Sequence, residues 1–115
     1  RMRFFFYGSL LDPATRRQVL GPLARGLTLE RARLDGWRLS RPRRSPWPFI
    51  RPCRGSSVEG EISTPIARAA RRRLYAYEGE LYRTRRVSVR TTDGRRLGAT
   101  VFVPSYSERG GLTGR

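Results

Sequence analysis

The sequence predicts an α+β fold, a small mixed β-barrel with flanking helices, and three observations carry that prediction. Apolar residues repeat with period two in some segments and near 3.6 in others, in the order strand, helix, several strands, helix, hairpin. The final pair of alternating runs is joined at Thr92-Asp93-Gly94, a strong hairpin signal. At 115 residues the chain holds one core, and mostly β elements around a single core remove their exposed edges by closing on themselves. The domain is expected over residues 1–106, with a flexible polar tail over 107–115 that carries Gly110-Gly111 and frays past Glu108.

Residues 3–7 are aromatic with little polar interruption, as in a strand buried on both faces. Asp12-Pro13 opens a short helix, because Asp12 accepts from the free N–H groups of the first turn and proline is tolerated at the first helical position; Gly21-Pro22 ends it. Residues 27–40 read as two strands broken near Asp35-Gly36, with Trp37 and Leu39 sharing a face of the second. Residues 41–57 read as a loop stiffened by Pro42, Pro46, Pro48 and Pro52. Val58, Gly60 and Ile62 alternate with Glu59 and Glu61 along a half-buried strand, the two carboxylates facing outward. Thr64-Pro65 starts a second helix whose inner face is Ile66, Ala69, Ala70, Leu74 and Tyr77, and Gly79 ends it in the left-handed conformation. In the closing hairpin Val87 and Val89 face inward from one strand, and Leu97, Ala99, Val101 and Val103 from the other.

Composition removes several function classes. No apolar run approaches the roughly 20 residues that span a bilayer, and the opening basic-then-apolar stretch breaks at Gly8-Ser9, too short for a signal-peptide core, so the chain reads as cytoplasmic with no membrane partner. There is no histidine and a single cysteine, Cys53, which excludes an intrachain disulfide, an ordinary zinc site and a Ser-His or Cys-His nucleophile. No metal or other cofactor is expected. The formal charge of +16 arises from 25 basic residues against 9 acidic ones, and every basic residue is arginine. A phosphate-binding surface has no reason to exclude lysine everywhere, so coding bias is the simpler account. The alternative is an arginine-driven nucleic-acid or acidic-partner binding module, centred on residues 38–54, where arginines surround Trp47 and Phe49.

Two distant segments carry the chemistry. Phe6-Tyr7-Gly8-Ser9-Leu10 places a glycine-centred turn after the first strand, and its backbone N–H groups are suited to an anionic or carbonyl oxygen. Ser9 is a poor nucleophile, since neither histidine nor lysine exists to activate it. Leu74-Tyr75-Ala76-Tyr77-Glu78-Gly79-Glu80-Leu81-Tyr82 places one carboxylate, Glu78, in the last turn of a helix and a phenol, Tyr82, four residues on. The negative end of the helix dipole and desolvation by tyrosines raise the pKa of Glu78 toward a general base's range, while neighbouring arginines oppose that; a surface pair with Arg71 or Arg72 is the non-catalytic reading. Tyr82 serves either as an amphipathic core residue or as a hydrogen-bonding group for substrate or carboxylate. Cys53, between Pro52 and Arg54, reads as non-catalytic.

These segments resemble the gamma-glutamylcyclotransferase-like superfamily, particularly the branch that includes gamma-glutamylamine cyclotransferases and the avirulence-induced-gene proteins of plants. Phe6-Tyr7-Gly8-Ser9-Leu10 is similar to its tyrosine-glycine-serine or -threonine-leucine turn, Trp47-Pro48-Phe49-Ile50-Arg51-Pro52 to its aromatic-proline loop, Gly60 with Val58 and Ile62 to the strand that follows, and residues 74–83 to its segment ending in glutamate, glycine, tyrosine and arginine. The ordered set covers residues 3–104. The resemblance implies a compact mixed β-barrel with outer helices, a pocket at the glycine turn, and an intramolecular reaction in which the α-amine of a small γ-glutamyl substrate attacks its own γ-carbonyl, giving 5-oxoproline and a released amine or amino acid. It implies Glu78 as the catalytic proton carrier, Tyr7, Gly8, Ser9 and Leu10 as the glutamyl-binding turn, and Tyr82 as a pocket residue. Tyr75 stands where the family has aspartate, three residues before the glutamate.

Overall fold

The computed structural model describes residues 2–41, 48–107, 111 and 112. Five strands form one sheet in the order β1-β3-β2-β4-β5: β1 (Phe5–Phe6), β2 (Leu29–Ser40), β3 (Phe49–Ser63), β4 (Tyr82–Thr91) and β5 (Arg96–Pro104). Every ladder is antiparallel. Helices α1 (Pro13–Leu20) and α2 (Arg68–Glu78) pack on one side, and a short pair, β6 (Tyr106–Ser107) with β7 (Gly111–Leu112), follows the main sheet. The fraying expected over the tail falls partly on residues 108–110 and 113–115, outside the described residues.

The expected barrel does not close. Its two edges meet at one parallel bridge, Phe4 to Thr100, where the Thr100 N–H donates to the Arg3 carbonyl at 2.8 Å. With only two residues in its ladder, β1 is too short to pair along β5. The curl still separates two cores. On the concave side Phe5, Leu34, Trp37, Ile50, Val89 and Val101 pack together, with Val87 and Leu97 at the margin. On the helix side Phe4, Phe6, Leu20, Ile66, Leu74 and Phe102 form the second core. The first strand is therefore buried on both faces, as its aromatic run predicts, and each such ring contributes about 1.5–3 kcal/mol on leaving water. The alternation of the closing hairpin holds too. Its turn is fixed by the Thr91 hydroxyl bonded to Asp93 and by the Gly94 N–H on the Thr91 carbonyl at 3.0 Å.

Three sequence expectations are corrected. Residues 29–40 form one strand, not two: the signal at Asp35-Gly36 is a bulge, where the register passes from Asp35↔Ser57 to Trp37↔Pro52. Half of the proposed proline loop is strand, because β3 begins at Phe49, and Pro52 sits at the bulge, where the ladder does not need its missing N–H. Helix α2 starts at Arg68 with Ala67 as its cap, later than Thr64-Pro65. The Thr64 and Ile66 N–H groups are held by the carbonyls of Thr28 and Met2 at 2.9 and 2.7 Å, which keeps that stretch extended. Ala69 and Tyr77, expected on the inner face, are exposed, and Ala70 and Leu74 carry the buried stripe.

Gly60 is required by packing. A Cβ there would lie 2.2 Å from the Phe6 carbonyl oxygen and 2.7 Å from the Phe5 ring. Glycine thus lets β1 cross closely over β3.

Candidate active site

After β1 the chain turns at Gly8 into a single 3-10 turn, Ser9–Leu11, and Asp12 then caps α1 by accepting from the Thr15 N–H at 3.1 Å. The first donors of such a turn, the Ser9 and Leu10 N–H groups, have no acceptor within it. Its carbonyls are fixed from the other side: the Arg16 guanidinium donates to the Leu10 and Leu11 oxygens at 2.8 and 2.9 Å. Arg16, six positions after Leu10, carries no motif in the sequence that marks this role.

Helix α2 brings the second segment to this turn. Gly79 ends it at φ 74°, a left-handed value suited to glycine, and its N–H donates to the Tyr75 carbonyl at 3.0 Å. Tyr75 rests its ring against Phe102 and Phe4, with centroids 6.0 and 6.3 Å away, so ring packing and the glycine cap support the helix end where the family has aspartate. The Tyr77 hydroxyl and Ser9 Oγ, 68 positions apart, are 2.7 Å from one another and tie helix end to turn.

The result is a cavity of about 160 Å³ lined by Tyr7, Gly8, Ser9, Leu10, Glu78 and Tyr82. All six residues singled out in the sequence therefore meet in one place. Phe5, Phe6, Pro48, Tyr77, Leu81 and Phe102 complete the wall. Two of the expected details change. Tyr82 donates its hydroxyl to the Pro48 carbonyl at 3.0 Å and packs its ring on Phe49, so it shapes the wall and holds the proline segment. Tyr7 is half-buried and donates to the Phe102 carbonyl at 2.7 Å; desolvation, reinforced by Tyr82 and Glu78 nearby, pushes its phenol far above the ordinary range, so it stays protonated.

Glu78 is half-buried, and desolvation raises its pKa from 4.5 to about 7. The suggested pairing with Arg71 is not formed: Arg71 donates to the Ile66 carbonyl at 3.2 Å. Cys53 lies in the β3 bulge, where the Ser56 hydroxyl donates to its sulfur at 3.4 Å, and it does not line the cavity. Of the arginine-rich stretch over residues 38–54, Arg43, Arg44 and Trp47 lie outside the described residues, while Arg38, Arg51 and Arg54 are exposed on β2 and β3. No helix among the described residues is long and apolar enough to cross a membrane.

Fold and site together define a small α+β domain in which a desolvated carboxylate and a turn of backbone donors line the same cavity. The chain belongs to the family described as Gamma-glutamyl cyclotransferase, AIG2-like, which matches residues 4–113. No curated protein matches it. It is similar to two solution structures from Arabidopsis thaliana, at 23% identity and TM-score 0.77 over 90% of this chain and 68% of the other, and at 24% and 0.78 over 90% and 61%. A third similar structure is titled gamma-glutamyl cyclotransferase, at 21% identity and TM-score 0.72, covering 90% of this chain and 66% of that one. At these identities the likeness is one of fold, and this chain spans about two thirds of the length of those it matches.

Proposed function

We propose that the protein is a cofactor-independent cyclotransferase that converts a small γ-glutamyl substrate to 5-oxoproline and a free amine or amino acid, with Glu78 as general acid/base. The observation that carries this reading is that Glu78, desolvated to a pKa of about 7, opens onto the same cavity as the Gly8-Ser9-Leu10 turn. Family membership supports the reaction class.

The substrate's neutral α-amine is tethered to its own γ-carbonyl, so closure of the five-membered ring needs no nucleophilic side chain and gains a large effective molarity. As the new C–N bond forms, the γ-carbonyl oxygen gains negative charge, and the Ser9 and Leu10 N–H groups are the donors offered to it. Glu78 takes one proton from the attacking nitrogen and returns it to the leaving nitrogen as the amide C–N bond breaks. The carboxylate ends as it began. Tyr7 and Tyr82, both committed to backbone carbonyls, shape the cavity.

General acid–base catalysis supplies about 10²–10⁴-fold. Glu78→Gln should therefore lose at least about 100-fold in turnover while keeping its circular-dichroism spectrum. Near-parental release of 5-oxoproline by that variant would overturn the mechanism.

A further inference from the structure

The glycine turn is wired to a cation. Arg16 is the fourth residue of helix α1, near the positive end of its dipole, where a cation is disfavoured. Its half-buried side chain turns back to the preceding 3-10 turn, where a single nitrogen, Nη1, donates to both the Leu10 and the Leu11 carbonyl at 2.8 and 2.9 Å. These are the last two carbonyls of that turn. The chain leaves it extended at Asp12, which ends the turn's own supply of donors.

Each of the two carbonyls heads a hydrogen-bonded chain of peptide groups. The Leu10 carbonyl shares its peptide with the Leu11 N–H, which donates to the Gly8 carbonyl at 3.0 Å, and that carbonyl shares its peptide with the Ser9 N–H. The Leu11 carbonyl shares its peptide with the Asp12 N–H, which donates to the Ser9 carbonyl at 3.1 Å, and that carbonyl shares its peptide with the Leu10 N–H. One nitrogen of Arg16 is thus connected, through two peptide groups in each case, to the N–H groups of Ser9 and Leu10, both of which line the cavity. A donor on a carbonyl draws charge from its peptide and makes the N–H of that peptide a stronger donor, and such polarisation adds about 10–30% per bond. A full positive charge at the head of the chain makes the first bond the strong, charge-assisted kind.

Resting on the cyclotransferase reading, we propose that Arg16 is a positioning residue for the reaction: it fixes the glycine turn and passes its charge along both chains to the Ser9 and Leu10 N–H groups that receive the oxyanion. It acts through these peptide groups and not by contact with substrate. Its effect belongs to the transition state, where the γ-carbonyl oxygen carries negative charge, more than to the bound substrate.

Two substitutions test this. Arg16→Met keeps an apolar stem and removes charge and donor, whereas Arg16→Lys restores a cation that can donate to both carbonyls from one nitrogen. With γ-glutamylalanine and γ-glutamyl n-butylamide as substrates and released 5-oxoproline as the readout, Arg16→Met should lower kcat by about tenfold with KM nearly unchanged, less than the roughly 10²–10³-fold that loss of a whole oxyanion donor costs, because both N–H groups remain. Arg16→Lys should recover most of that kcat. Arg16→Gln, a neutral donor, should fall between them, and it supplies the comparison where Arg16→Met does not fold. In amide proton NMR spectra the Ser9 and Leu10 resonances should move upfield in Arg16→Met and return in Arg16→Lys, while the Gly8 N–H, which belongs to neither chain, moves least. Parental kcat without the cation, equal losses in the lysine and neutral variants, or a rise in KM alone would overturn the inference and leave the cyclotransferase reading standing. Release of 5-oxoproline from neither substrate by the parent protein would remove that reading and this inference with it.

Discussion

At Glu78 the physical chemistry is a contest between solvent and field. The helix carries arginines at 68, 71, 72 and 73, which would hold a nearby carboxylate ionised, yet burial prevails and lifts its pKa from 4.5 to about 7. A base must be ionised to accept, so Glu78 should contribute a factor of about ten per pH unit to kcat/KM below 7 and none above it, on top of the rise from deprotonation of the substrate's own α-amine. Titration of the acid limb in the parent protein checks this directly. A limb centred near 4.5 would mean that the carboxylate is solvated during turnover. The carboxylate itself was legible from its place before Gly79. The balance of its surroundings was not, because it depends on which way each arginine leaves the helix, and Arg71 turns back to Ile66.

Among the elements, β1 has the strictest requirements. It carries rings into both cores and crosses β3 at a glycine, so Gly60→Ala must push a methyl group against backbone that cannot rotate away. Overpacking usually costs about 1–3 kcal/mol and more where the obstacle is rigid; the unfolding free energy of Gly60→Ala, measured by chemical denaturation, should fall by an amount at or above the top of that range. Wild-type stability in this variant would show that β1 and β3 lie farther apart. The two-faced strand, the Asp12 cap, the Gly79 terminus and the closing hairpin could be read from sequence because each depends on neighbours within a few positions. The start of β3 could not, since prolines at 48 and 52 argue against a strand unless the opposing bulge is known. The start of α2 was equally hidden: Thr64 and Ile66 are held extended by residues 28 and 2. Closure failed for a related reason, a first strand too short to pair along the far edge.

For the molecule as a whole, the charge of +16 makes some attraction to polyanions unavoidable. The described arginines are spread over both helices and β2 to β5, and no described arginine lines the cavity. Duplex DNA binding should therefore be weak and nonspecific, falling with a log–log salt slope of about −0.9 per phosphate neutralised and disappearing by physiological ionic strength. Fluorescence anisotropy across a salt series measures it. Submicromolar binding that survives 150 mM salt, roughly the physiological range, would favour the nucleic-acid reading.

The bond from Tyr7 to the Phe102 carbonyl spans 95 positions, and it has a consequence for how the protein is made. At ribosomal rates of roughly 5–20 residues per second, some 5 to 20 s pass between synthesis of the tyrosine and of its acceptor. Until β3 and then α2 have been made, Phe4, Phe5 and Phe6 travel as a naked aromatic segment, and the contacts with Phe102 come later still. A nascent chain stalled before residue 102 has its carboxylate and its glycine turn but lacks the Phe102 ring in the wall and the carbonyl that holds Tyr7. It should be a client for chaperones that grip extended apolar peptides, and the cavity is complete only once residue 102 has been made.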